Sequence, residues 1–444
     1  MSYKRIKRSI NNIKNKSKNN GDYKVNSNSF IRTRKMEFED FIWYLTLQKG
    51  RTTSMELDEY LKCKNDTYKI SISKQAFSKQ RLNLKPQIFI DLYKDYLKDF
   101  YINSPKEAKK YKGYYVLAID GSMFEIPNTK ELREIFKTQK NSSGHRESAR
   151  ARVSGIYDVE NEFMVDAIIA DCEQGEKNLA KINIEEAGKI IDLKKCMIIF
   201  DRGYPGLDLI WFLEKLGIKY IFRLQSTNMY EKEKRSMSTN DEWVKLSCRE
   251  RLRKIEDEKI REELRKQEYI DTRFTRVILD TGEVEYLLSN LPDTLISEDE
   301  MKEAYFKRWK IEISYDILKN KLHIENFTGK TKITIEQDFY AQIYTFNVLQ
   351  DIKKTANIER KNKEKNKNLK YEYKVNINIL AGWLKNILIA MIFVKTDKER
   401  KELYDIIIEK AEKNLVAINP DRSYERNHYT SGRNKFRTNL RYNM

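Results

Sequence analysis

The sequence has little sulfur and little imidazole: four cysteines and three histidines in 444 residues. Cys63, Cys172, Cys196 and Cys248 lie far apart with no C-x-x-C spacing, and His145, His323 and His428 are near none of them. Neither a disulfide framework nor a Cys/His zinc site is expected on that pattern. Long apolar runs are missing too. The longest, Ile387 to Val394, is flanked by Lys385 and Lys395 and falls far short of the ~20 residues a spanning helix needs. The first residues are basic and continue into Asn, Ser and Lys rather than an apolar stretch, so no secretory signal is read and a cytoplasmic protein is expected. No P-loop is present: Gly329-Lys330-Thr331 would need a glycine where Ile324 stands, which removes support for ATP-driven chemistry.

What the chain has in excess is positive charge, 86 Lys and Arg against 67 Asp and Glu, a formal +19, while aromatic residues still make up 11%. That combination describes a folded, basic protein whose leading partner is a polyanion, nucleic acid ahead of an anionic membrane surface. Residues 1–36 hold eleven Lys/Arg and one acid among many Asn and Ser, a composition that predicts a disordered basic arm over 1–35. From Met36 the apolar residues recur at helical spacing, and Ser73 is placed to cap a short basic helix, Lys74 to Leu82, that would suit DNA contact or a plain solvated face. From Tyr114 the pattern changes to three short β-rich runs, YYVLAID, RVSGIYDV and FMVDAIIA, then alternates between helix and strand to Leu224, the mark of an α/β unit. A highly charged stretch from 226 to about 270 precedes a hairpin pattern turning at Asp280-Thr281-Gly282. Ser297 opens a long helical stretch, and the Lys/Asn-rich run Lys353 to Lys370 reads as a loop before a last helical segment and a basic tail.

Three acids stand out. Asp120 directly follows the apolar VLAI, and Asp201 directly follows MIIF, so both are placed at strand ends, where α/β sheets present catalytic groups. Turn chemistry is the plainer alternative, Asp-Gly for one and a helix cap ahead of Pro205 for the other. The third acid, Glu312, shares a helical stretch with Tyr305, Arg308 and Lys319; on one unbroken helix all four project within about 60° of arc. An isolated Arg308/Glu312 surface pair would explain two of these residues but not the aligned tyrosine and second cation. Three carboxylates without His or Cys are hard oxygen donors, suited to Mg2+ or Mn2+.

These residues resemble the DDE transposases of the insertion-sequence-four family. That family's Y-x2-R-x3-E-x6-K signature stands here as Tyr305, Arg308, Glu312 and Lys319, after D-G-S at Asp120 and D-R-G-Y at Asp201, with IENFTGKT, QDFYAQIYTFNVL and YLLSNL nearby. The resemblance implies an α/β fold with an RNase H-like catalytic core interrupted by an insertion, an N-terminal helical domain and a C-terminal helical segment. Its expected layout is a helical domain over 36–105, a candidate for DNA binding, core over 106–225 and 293–350, an insertion over 226–292, and helices plus a basic tail over 351–444. It implies that Asp120, Asp201 and Glu312 are catalytic ligands of two Mg2+ or Mn2+ ions, and that Tyr305, Arg308 and Lys319 bind DNA. The expected activity is cleavage and strand transfer on double-stranded DNA, inverted-repeat ends and target alike, by a homodimer with no membrane partner, with a DNA hairpin forming at the transposon end. A DNA-binding regulator derived from a transposase and an RNase H-like structure-specific nuclease are the alternatives; intact acids oppose the first, the Tyr-Arg-Glu-Lys set the second.

Overall fold

The computed structural model describes residues 2–418 apart from 33, 141–146, 226, 228, 280–281 and 364–370. The basic tail, the Asp280-Thr281 turn and the Lys/Asn-rich residues 364–370 therefore lie outside the described residues. Helices α1 (Ser2–Lys18), α2 (Phe38–Leu47), α3 (Thr53–Asn65), α4 (Lys74–Arg81) and α5 (Gln87–Tyr101) come first. Strand β1 (Tyr115–Glu125), α6 (Lys130–Phe136), β2 (Thr138–Lys140), β3 (Glu147–Asp158) and β4 (Phe163–Asp171) follow. Then come α7 (Glu176–Gly188), β5 (Cys196–Phe200), α8 (Leu207–Leu216), β6 (Lys219–Arg223), α9 (Glu231–Ser236), β7 (Asp241–Ser247), α10 (Glu258–Arg265), β8 (Tyr269–Ile278) and β9 (Val284–Ser289). The chain continues through α11 (Glu298–Phe306), α12 (Trp309–Asp316), α13 (Lys332–Lys363), β10 (Glu372–Val375), α14 (Ile377–Phe393), α15 (Asp397–Lys413) and β11 (Leu415–Ile418). The result is a mixed α/β protein that divides into two compact units: Met1–Asp99, Phe124–Ala151 and Asp316–Met444 in the first, Phe100–Met123 and Arg152–Tyr315 in the second.

The first unit is a helical assembly around α13, which is buried on most of its circumference by α1, α2, α14 and α15. A helix buried all round must satisfy its polar side chains internally. Asp351 takes Arg5 Nε at 2.8 Å and the Tyr96 hydroxyl at 2.7 Å, and Asp338 takes Arg81 Nη2 at 2.6 Å. These bonds correct the expectation of a disordered arm. Ile6, Ile10 and Ile13 form an apolar stripe along α1, and the charges that made the segment look unable to pack are paired: Arg5 with Asp351, Lys7 with Asp397, Arg8 with Asp99, Lys16 with Asp95. The expected loop after Lys353 is also corrected, since α13 continues to Lys363 with Ala356 and Arg360 still buried; lysine is a good helix former and Asn does not stop a helix that tertiary packing supports. Ser73 caps α4 as read, its Oγ accepting from Ala76 N at 3.2 Å, but Arg81 at the far end is buried against α13 while Lys74 and Lys79 stay exposed.

In the second unit the strand order is β4-β3-β1-β5-β6-β9-β8-β7, while β2 pairs with the start of β3 in the first unit. β1, β5 and β6 are parallel, and β9, β8 and β7 continue the sheet antiparallel from β6. The parallel strands are buried on both faces, which is why YVLAI, CMIIF and YIF read as unbroken apolar runs instead of alternating ones. The charged stretch after 226 contains β7; Trp243, Val244 and Leu246 supply its β-propensity and β8 supplies its partner.

Candidate active site

The register of the two central strands builds the site. Ile119 pairs with Phe200 at the end of the parallel β1–β5 ladder, so Asp120 and Asp201 are each the next residue beyond one shared rung. Asp201 leaves β5 there, as expected. Asp120 does not end its strand; β1 continues to Glu125, and the Asp120 carbonyl accepts from the Tyr315 hydroxyl at 2.8 Å. Neither turn alternative accounts for the two acids: Asp120 lies within a strand, and α8 begins after Gly206 without a side-chain cap.

The expected single helix is two. A capping box at Ser297 starts α11, which ends at Phe306. Across Lys307 and Arg308 the chain tightens, with Arg308 N bonding Tyr305 O and Ile311 N bonding Arg308 O at 3.0 Å each, before α12 resumes. Tyr305 is therefore at the end of α11, Arg308 in the break, and Glu312 on α12. Lys319 lies beyond them in a π-helical turn, Ile317–Lys321, that belongs to the first unit; there its Nζ is 4.0 Å from Glu325 and sits over the Phe124 ring at 4.6 Å. Five of the six anticipated residues thus stand together in one unit, and Lys319 is outside it.

Arg308 joins the acids. It is only 3% exposed, donates from Nη2 to Glu312 Oε1 at 2.9 Å, and holds Nη1 3.8 Å from Asp120 Oδ2. Its Nε donates to the Tyr305 hydroxyl at 3.2 Å, which in turn donates to Asp201 Oδ1 at 3.3 Å. Burial pushes the Tyr305 hydroxyl well above its usual range, so it remains a donor. One guanidinium thus reaches two carboxylates directly and the third through a phenol. Even so, the Asp120 carboxyl is pushed up to about 6, by burial first; the Gly121 N–H and Arg308 oppose this, and repulsion from Asp201 and Glu312 adds to it.

Sequence reasoning missed three neighbours. Arg223, at the end of β6, places Nη1 3.9 Å from Asp201 and is also paired with Glu285. Tyr315 holds the Asp120 backbone. Glu176, paired with Arg152, lies against both glycines that follow the aspartates: a Cβ added at Gly121 would meet its Oε1 at 3.3 Å, and one at Gly203 its Oε2 at 3.7 Å. The position of Arg223, ending an apolar strand beside the one that ends at Asp201, was a usable signal; Glu176 and Tyr315 depend on packing that no local pattern reveals.

The family model of the Transposase DDE domain matches residues 111–348, a span that contains Asp120, Asp201, Tyr305, Arg308, Glu312 and Lys319. The chain belongs to the transposase DDE domain family. The resemblance to the insertion-sequence-four transposases is likewise borne out: the chain is 24% identical over 246 residues to the transposase InsG for insertion sequence element IS4 of Escherichia coli (strain K12). That match takes in 54% of this chain and 52% of the relative, so the chain spans about half the length of the curated relative it matches. A cryo-EM structure of the piggyBac transposase synaptic complex with hairpin DNA is similar at a TM-score of 0.45 and 12% identity, over 85% of this chain and 77% of that one.

Donor chemistry decides whether this member of the family can take a divalent cation. The three acids offer only hard oxygen, and burial, with repulsion from Asp201 and Glu312 added to it, raises the Asp120 carboxyl, a condition a dication relieves. Among the described residues no three acidic, His or Cys side chains stand close enough to share an ion, because the carboxylates are turned onto Arg308 and Tyr305. The residues fit Mg2+ or Mn2+ in donor type.

Proposed function

We propose that this chain is a transposase that binds the ends of an insertion sequence and cleaves and joins DNA at Asp120, Asp201 and Glu312, with an RNase H-like core interrupted by an insertion over 226–292. The observation that carries the reading is the shared Ile119–Phe200 rung beneath Asp120 and Asp201, tied through Arg308 to Glu312 within the span of the family match. Asp120, Asp201 and Glu312 would hold Mg2+ or Mn2+, two ions in all. When bound, the cations supply an activated water or 3′-hydroxyl and neutralise charge on the leaving oxygen.

The remaining chemistry belongs to the chain. Tyr305 and Arg308, both buried, orient the carboxylates and keep them from repelling one another apart. Lys319 contacts a DNA phosphate. The +19 surplus supplies sequence-independent affinity for duplex ends and target, and a homodimer on paired ends is the working assembly. Incubating the purified chain with a duplex carrying the DNA ends that flank its own gene, with and without Mg2+, tests this: strand scission at those ends and joined products that require the cation are expected.

A further inference from the structure

The first unit contains a cavity of about 410 Å³ whose walls include Lys49, Arg51, Lys321, His323 and Lys385, and no Asp or Glu. None of the residues of the carboxylate site lines it. Two acids lie just behind Lys49 and Arg51. Glu59 serves both Lys49 at 2.7 Å and Arg51 at 3.4 Å, and the Glu56 carboxylate is occupied by the backbone N–H groups of Lys49 and Arg51. Four cations against these two withdrawn carboxylates and Asp316, which accepts from the Asn320 amide at 2.6 Å, leave the wall net positive. Lys321 has no ion-pair partner among the described residues. Lys385 is buried, its ammonium donating to the Gln48 carbonyl and, at 3.4 Å, to Gln342 Oε1, both neutral.

Burying like charges together is costly unless something negative arrives. The neighbourhood carries that cost: burial, with Lys385 and Lys321 adding to it, holds the His323 imidazole below its usual range, and burial holds the Lys385 ammonium down at about 8. Lysine is a point-charge ligand for phosphate, and asparagines 378 and 386, also in the walls, can donate to its oxygens.

We propose that this cavity is a phosphate-binding site, able to take either a backbone phosphate of duplex DNA or free inorganic phosphate. It requires no cleavage by the carboxylate site and stands or falls separately from that activity. The test uses the full-length chain and two variants, Lys321→Gln and Arg51→Gln, whose side chains are half-buried and exposed and can change without disturbing the core. Inorganic phosphate is titrated calorimetrically at constant ionic strength, and a labelled random-sequence duplex is titrated at several salt concentrations. The wild-type chain is expected to bind at least one of the two, and Lys321→Gln to bind it roughly tenfold more weakly. In the duplex arm the slope of log affinity against log salt should fall by about one. Loss confined to the phosphate arm assigns the site to free phosphate, loss confined to the duplex arm to DNA, and loss in both to either source. Wild-type chain that takes up no phosphate, with duplex affinity and slope unchanged in both variants, overturns the proposal; so does phosphate uptake that neither variant weakens.

Discussion

Replacing Arg308 with alanine tests the organisation of the carboxylate site without touching a carboxylate. The guanidinium is nearly inaccessible, donates to Glu312 at 2.9 Å, and lies 3.8 Å from Asp120. Truncation removes a charge-assisted bond worth ~1.5–3 kcal/mol in full, discounted because Glu312 can rehydrate, together with the cation that offsets the burial of Asp120 and the packing of a buried side chain. A total near 3 kcal/mol is expected, at the lower end of the range for breaking buried pairs. At ~2–4 °C per kcal/mol for a unit of this size, the metal-free melting temperature should fall by roughly 6–12 °C. Mg2+ should then raise the melting temperature of Arg308→Ala more than that of the wild type, because the variant holds the same three acids with one less cation. Arg308→Lys should recover part of the stability, since a lysine supplies charge but cannot reach Glu312 and Tyr305 together. Differential scanning calorimetry with and without Mg2+ measures all of these. An Arg308→Ala protein that melts with the wild type and responds identically to Mg2+ would refute the assignment of Arg308 as the group that holds the acids.

Asp351→Ala removes the carboxylate that Arg5, 1% exposed, is paired with, so a loss of ~3–5 kcal/mol is expected in thermal denaturation; deleting residues 2–18 should likewise unfold or loosen the first unit rather than merely weaken DNA binding. Gly155→Ala would bring a Cβ to 2.8 Å from Met164 Sδ and 3.0 Å from the Tyr315 hydroxyl that holds the Asp120 carbonyl, so a cost of ~1–3 kcal/mol and slower DNA cleavage should appear together in melting and single-turnover assays. Lys385 has its folded-state pKa lowered from 10.5 to about 8 by burial, opposed by Glu56 and reinforced by Lys49. Between those values the unfolded chain binds more protons, so stability from this group rises with pH through that window, by at most about 3 kcal/mol. Lys385→Met should flatten that rise in chemical denaturation measured at pH 7.5, 9 and 10.

Much of the site was legible because its signals are local. A carboxylate after a buried apolar run needs only strand propensity to place it, and the register 119–200 then brings two such positions together. The β8–β9 pairing and the helices α7 and α8 follow from periodicity in the same way. Three features were hidden for physical reasons. The α1 segment looks too polar to pack because its cations count as charge in composition, whereas in the fold they meet acids as distant in sequence as Asp351 and Asp397. The break at Lys307–Arg308 has no glycine or proline to announce it. It is a tertiary choice that turns Arg308 inward onto Glu312 and Tyr305, where an unbroken helix would have carried it on a common stripe with Lys319. The extension of β1 past Asp120 through Gly121 runs against the usual reading of Asp-Gly as a turn.

The measurement that bears most directly on the central claim is single-turnover cleavage of the chain's own flanking DNA ends by the wild type and by Asp120→Asn, Asp201→Asn and Glu312→Gln, each with Mg2+ or Mn2+ and each checked for end binding by gel shift. The wild type should cut only with the cation present, and all three variants should bind the ends while losing cleavage by a factor of ~10³ or more, a barrier increase of about 4 kcal/mol. Near-wild-type cutting by any one of the three folded variants, or failure of a wild-type chain that binds those ends to cut them in the presence of either cation, would contradict it.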